Sequence, residues 1–500
     1  MLNILGSARK LCGGLTRREL LRVGGLGIAG LSLPEICRLQ DESAAADAPR
    51  ERSFGKAKNI ILVHLYGAPS QLETFDPKPS APLEVRGELK SISSSLPGCD
   101  VCELLPHAAQ VMDRCTVIRS MHHIYPFHGV AYALSGVPVV TPPMELNPRD
   151  PAQWPFFGSV VDYLESRKPT TQPRFVPTNM GLPFRFSSQR AGEVPRAGPY
   201  AAFLGAEFDP VWTDFVGTAT KGQRRTLRDM VFEDNDPFMG ITPDSHFLVP
   251  SASDLQPGMT LDRLNRRRSL IEQLDQQRAD LAETPSGRQF DRYRAMTYDL
   301  LRSDKLRTAL DTRREPAARR ASYGDTLFGH ACLTARRLVE AGSKVVTVFW
   351  DEYGVAGSAW DTHFDHYPRM KNELCPGFDL AWRGLILDLE ERGLLDETLV
   401  VCTSEHGRGP KLNDKVAGSG REHWSRAYST VVAGAGIARG KVVGATDRQG
   451  GDVTSTPVSP KDLLATMYHL LGIDHHTMLH DSLGRPLPLV EGSVVREVLA

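Results

Sequence analysis

The sequence predicts an α/β protein in which a parallel or mostly parallel sheet is covered by helices on both faces. Five runs, "NIILVHLYG" (59–67), "CTVIRS" (115–120), "SKVVTVFW" (343–350), "TLVVCTS" (398–404) and "YSTVVAGAG" (428–436), are apolar runs without polar alternation, as strands buried on both faces are. Helical periods separate several of them. "FDLAWRGLILDLEERGLL" (378–395) places apolar residues at helical spacing opposite a charged face and runs straight into a strand. Strands and helices in alternation bury a sheet between layers.

Taken in order, the chain opens with "LTRRELLRVGGLGIAGLSLPEI", in which Thr16-Arg17-Arg18-Glu19-Leu20-Leu21-Arg22 precedes a glycine-rich apolar run from Val23 to Leu33. That run is too short to span a bilayer, and with paired arginines before it and "SAAADA" after it, it reads as a twin-arginine export signal. The expected organisation is a signal and linker over 1–48 and one domain over 49–500. No later stretch carries 18 consecutive apolar residues, so no stable membrane span is expected. Between about 170 and 330 a Pro/Gly/Arg-rich loop region gives way to charged helical segments at 261–281 and 290–303, an elaboration of the domain. Acids interleave with the arginines there, so a solvated helix is expected rather than a nucleic-acid face. Near the end, "SPKDLLATMYHLLGI" (459–473) starts a helix with Ser459 as N-cap, Pro460 at the first helical position and Asp462 in the first turn.

A chain of 500 residues buries a large core without staples. Its 59 basic and 60 acidic residues give a formal net charge of −1, so no global field draws nucleic acid, anionic lipid or polyanions, and anion recognition must be local. Of eight cysteines, Cys99 and Cys102 form a lone "CDVC" without the second pair of a zinc ribbon, and Cys115 and Cys402 sit in apolar runs as core thiols.

The chemistry-bearing residues gather in three loops. "SAWDTHFDHYPRM" offers Asp361, His363, Asp365 and His366; "SEHGRGP" offers Glu405, His406 and Arg408; "GREHWSRAYS" offers Arg421, Glu422 and His423. Any one such residue is as readily hydrogen-bonded trim as a ligand. Their recurrence at successive strand ends, where α/β proteins place function, favours a shared metal site for zinc, manganese or iron.

The motifs "ILVHLYGAPSQLETFDPKPSAP", "IRSMHH", "WDTH", "DLEERGLLDETLVV", "SEHGRGPKLN", "GREHW", "GAGIARGKVVGATD" and "SPKDLLATMYHLLGI", in that order, resemble the exported family called domain of unknown function 1501, itself similar to the alkaline phosphatase and sulfatase superfamily. The resemblance covers nearly all of residues 16 to 490. It implies a mixed, mostly parallel central sheet between helical layers, with a site at strand ends. It further implies one or two divalent ions, zinc or manganese, held by Asp361, by His363 or His366, by the Glu405-His406 pair and by His423. The family more commonly has Phe where His406 stands, and Glu405 replaces a usual Asp. The first strand ends in Tyr66-Gly67 in place of the superfamily's Asp, leaving Glu73 or Asp76 as substitutes. The slot of the superfamily's nucleophile falls near Pro126 in "YPFHGVAYALSG", with Ser135 at the corner, so no hydroxyl stands where attack should occur.

The expected function is therefore an exported, periplasmic or extracellular, metal-dependent hydrolase of phosphate or sulfate esters, with a metal-bound water replacing the side-chain nucleophile. His128 is the expected acid, base or hydrogen-bond donor, Arg408 and Arg421 the groups that hold anionic oxygens, and Ser70 a reserve nucleophile set against a turn-capping role. The expected partners are a small-molecule or glycan ester and the twin-arginine export machinery, with no nucleic acid. A non-catalytic binder of sulfated or phosphorylated glycans is the alternative, and a phosphoryl-transfer mutase a third reading that the missing hydroxyl disfavours.

Overall fold

A computed structural model describes residues 51–137, 141–148, 150, 152–169, 175–191, 196–227, 230–250, 303–354, 359–481 and 483–500. The expected export signal and the two charged helical segments at 261–281 and 290–303 lie outside the described residues, apart from Ser303. Among the described residues no helix is long and apolar enough to cross a membrane.

Eight strands form the central sheet: β1 (Asn59–Leu65), β2 (Cys115–Met121), β3 (Asn179–Leu182), β4 (Val211–Trp212), β5 (Val345–Trp350), β6 (Thr398–Thr403), β7 (Tyr428–Ala433) and β8 (Lys441–Val443). Their spatial order is β8-β2-β7-β6-β1-β5-β3-β4. Every neighbouring pair is parallel except the two made by β7, so seven strands point one way and β7 runs against them. The five apolar runs are all strands of this sheet, and it is mixed and mostly parallel as expected.

The side chains of β1 show why its sequence lacks alternation. Ile61, Val63 and Leu65 enter one apolar cluster, with residues of α4 (Leu327–Ala341) and α5 (Cys375–Glu391), after α1 (Val130–Ser135), α2 (Pro142–Glu145) and α3 (Phe157–Ser166) in the chain. Ile60, Leu62 and Tyr66 enter the other, with residues of α3 and of α6 (Pro460–Leu470). Both faces are buried, and each fully buried aliphatic side chain contributes about 1.5–3 kcal/mol. Phe328 of α4 stacks on Trp350 of β5 with ring centroids 4.1 Å apart, locking helix to sheet.

Helix α6 starts as its sequence predicts. The Ser459 hydroxyl accepts from the Asp462 N–H, and the Asp462 carboxylate accepts from the Ser459 N–H in return, a reciprocal capping box. Ser459→Ala is expected to lower stability by about 1 kcal/mol in urea unfolding, because it strands one N–H of that turn.

The six described cysteines, Cys99, Cys102, Cys115, Cys332, Cys375 and Cys402, are buried and unpaired.

Candidate functional site

The parallel direction of β1, β2, β5 and β6 brings their carboxyl ends to one edge, and each delivers polar residues there. After β2 the chain carries His123 and His128; after β5, Asp351 and the Trp360-Asp361 loop; after β6, Ser404, Glu405 and His406. A two-residue antiparallel pairing, Gly407 with Trp424 and Arg408 with His423, folds the "GREHW" loop back over them. This is the crevice beyond strand ends where α/β sheets bind ligands.

His128 lies between two carboxylates. Its Nδ1 is 2.8 Å from Glu405 Oε1 and its Nε2 3.2 Å from Asp361 Oδ2. Burial disfavours the charged imidazole, but Asp361 and Glu405 outweigh burial and raise its pKa to about 9. Asp361 is the hub. Its Oδ1 is 3.1 Å from His363 Nε2 and 3.3 Å from His423 Nε2, and it accepts from Arg408. Burial alone would raise the Asp361 pKa, yet Arg408 and His128 hold it well below the usual carboxylate range.

Within this centre, two sets of ligand atoms converge to within 4.8 Å of one another: Asp361 with His363 and His423, and His128 with His406 and His423. His363 and His423 approach at 2.9 Å through their Nε2 atoms, and Glu422 holds His363 from behind at Nδ1, 2.9 Å away. A carboxylate behind a ligating imidazole fixes its orientation. His406 is fully buried, and its Nδ1–H donates to the Gly407 carbonyl at 2.8 Å. That bond leaves the lone pair on Nε2, which is buried and has no partner. Burial also holds its pKa well below the ordinary histidine range, so the ring is neutral. A buried, neutral, unpartnered imidazole nitrogen beside other imidazoles and a carboxylate fits a divalent cation of the zinc type.

The structure sets the other expected residues apart from this cluster. Glu405 is wholly committed to protein donors: Oε1 accepts from Gly67 N–H at 2.8 Å and faces His128, while Oε2 accepts from the Ser404 hydroxyl at 2.9 Å. It steers His128 and is not one of the converging ligands, so the two halves of the Glu405-His406 pair part company. His366 is fully buried, paired with Thr362 at 2.7 Å and 3.4 Å from Glu73, while His363 takes the place beside Asp361.

Arg421 is also fully buried, and its donors go to Glu73 and to the carbonyls of Val85, Gly409 and Pro410, which corrects its expected role in holding substrate. Arg408 likewise spends its N–H groups on Asp361, His363 and the carbonyls of Gly67, Ala68 and Arg421, so it fastens Asp361 instead of gripping an anion. Glu73 answers Arg421, and Asp76 answers Lys78 and Thr446, so neither substitutes for the missing Asp of the first strand. Ser70 caps no turn. Its hydroxyl is buried without a partner, and its carbonyl accepts from Thr74. Ser135 donates to the Ala131 carbonyl within α1.

Two residues of the site escaped the sequence reading. His64, inside β1, lies 3.4 Å from Glu405 Oε2, and a histidine in a strand buried on both faces was the signal. His123 accepts the Tyr125 N–H at Nδ1 and so donates from Nε2 to the Glu405 carbonyl at 2.6 Å. Its signal was "MHH" directly after a strand.

Gly67 ties the hub together. Its N–H donates to Glu405, its carbonyl accepts from Arg408, and its φ is +94°. A Cβ there would stand 2.4 Å from the Asp361 nitrogen, so glycine is required for both the conformation and the approach.

These features define an α/β protein with a histidine-carboxylate centre at the carboxyl ends of its strands. The family described as protein of unknown function (DUF1501) matches residues 57–499, and the chain belongs to it. No curated protein matches the sequence. Among solved structures, the chain is similar to the PsFucS1 sulfatase from Pseudoalteromonas sp., at 11% identity over 87% of this chain and 70% of that one, with a TM-score of 0.36. It is also similar to the phosphonate monoester hydrolase SpPMH from Silicibacter pomeroyi, at 11% identity over 88% and 76%, with a TM-score of 0.34. A third is the lipoteichoic acid synthase LtaP from Listeria monocytogenes, at 10% identity over 86% and 76%, with a TM-score of 0.30.

Proposed function

We propose that this protein is an exported, metal-dependent hydrolase of phosphate or sulfate esters, its signal at 1–48 and its substrate a small-molecule or glycan ester. The observation that carries the reading is the His406 ring, neutral by burial, with Nδ1 fixed on a carbonyl and an unpartnered Nε2, its ligand atom converging with those of His128 and His423. Asp361, His363, His406 and His423 would hold the cation, zinc or manganese. Bound there, it would supply positive charge against the ester oxygens and lower the pKa of a water. His128, its two nitrogens facing carboxylates, orients Asp361 and would serve as the proton donor to a leaving oxygen. Arg408 fixes Asp361 against rotation.

Metal per chain, measured by plasma mass spectrometry on protein exported through its own signal, tests the reading alongside turnover of 4-nitrophenyl phosphate and sulfate. We expect one or two ions in the parent, and in His406→Phe a loss of metal with turnover down by more than about 100-fold. A metal-free parent, or content unchanged by the substitution, overturns the metal assignment and leaves the glycan-binding alternative as the better account.

A further inference from the structure

With Arg408 and Arg421 both consumed by protein acceptors, recognition of anionic substituents falls to another residue. Beside the histidine cluster, Tyr66 packs its ring 5.3 Å from the His128 ring, and the Arg196 guanidinium carbon lies 5.1 Å from the centroid of the same Tyr66 ring. Arg196 has a side chain only 12% exposed and donates to Glu352 at 3.2 Å, a carboxylate that it shares with Arg190. Two buried polar atoms of this stack, the Tyr66 hydroxyl and Arg196 Nε, have no partner, and neither has Oε1 of Glu145, a carboxyl that feels the Arg196 charge. Glu145 is tied to the same strip of chain, its carbonyl accepting from the Ala197 N–H. Burial raises the Glu145 pKa above the ordinary carboxylate value. A phenol O–H and a guanidinium N–H left unpartnered in a buried place match the oxygens of an anion, and each such atom costs stability until it is satisfied.

We propose that Arg196 and Tyr66 form a second anion subsite, so that the substrate is an ester whose alcohol carries a further anionic group, as in a disulfated glycan. The inference rests on the hydrolase reading for what occupies the histidine cluster and adds the substrate class. The Arg196 stack supplies charge and the Tyr66 hydroxyl a neutral hydrogen bond, while the neighbouring cluster takes the ester itself.

Binding of a monosulfated and a disulfated disaccharide of the same backbone, followed by calorimetry, tests it. The parent is expected to prefer the disulfated form. Arg196→Gln should shrink that preference by about 10–100-fold, the worth of a charge-assisted hydrogen bond. Tyr66→Phe, which keeps the ring and its packing, should shrink it by about 3–10-fold, the worth of a neutral one. A parent without preference, or a preference that survives both substitutions, overturns the subsite. If 4-nitrophenyl ester turnover stands while the preference is absent, only the subsite fails. If turnover and metal are also absent, the hydrolase reading fails with it.

Discussion

Asp361→Asn is expected to cut 4-nitrophenyl ester turnover by about 1,000-fold or more and to lower metal content, while the circular dichroism of the folded protein is retained. The carboxylate is the point where Arg408, His128, His363 and His423 meet, with Arg408 on Oδ1 and His128 on Oδ2. An amide cannot serve both sides. Whichever way it is turned, its NH2 meets either the guanidinium or the imidazole N–H, and one donor is pushed away. The substitution also removes the charge that offsets Arg408, a fully buried cation. Turnover within threefold of the parent would mean that Asp361 is not at the reacting centre.

The second large effect is on stability. Glu73 and Arg421, 1% and 0% exposed, pair at 2.5 Å beneath the site, and breaking a buried pair from one side leaves an uncompensated charge. Arg421→Met and Glu73→Leu are each expected to cost about 3–5 kcal/mol in urea unfolding, and the double variant to regain much of that loss. Burial pushes the Glu73 pKa up, but Arg421 and His366 outweigh it and lower the value to about 2, from 4.5. The folded carboxylate therefore binds its proton less readily than the unfolded one. Its stabilisation is fully present above pH 4.5 and is lost as pH falls through about 2, a change of about 3 kcal/mol in the parent. In Glu73→Gln that slope should vanish. Superimposable stability profiles of parent and variant between pH 5 and 2.5 would sink the assignment.

Why some of this is legible in the sequence and some is not follows from the reach of each interaction. The strands announce themselves because burial on both faces leaves no charged residue in a run such as "TLVVCT", and the start of α6 is written within four consecutive residues. Polar residues directly after those runs mark the edge where chemistry gathers. The division of labour among them is set by partners hundreds of residues away. His363 and His366 are the same residue type in one loop, yet one meets Asp361 and the other Glu73. Arg421 looks like an anion clamp until Glu73, 348 positions earlier, is seen to occupy it. Arg196 lies in no motif and Tyr66 stands in one only as the residue before Gly67, because the significance of the two lies in the packing of one on the other.

Gly67 makes the centre a product of distant parts of the chain. Its hydrogen bond to Glu405 spans 338 positions and joins the turns after β1 and β6, while the same residue abuts the Asp361 nitrogen. Closing loops of that size is slow, since the chain must lose its freedom before any contact rewards it. The centre therefore depends on long-range pairing as much as on its own residues, because the turns that Gly67 joins meet only where β1 lies between β5 and β6.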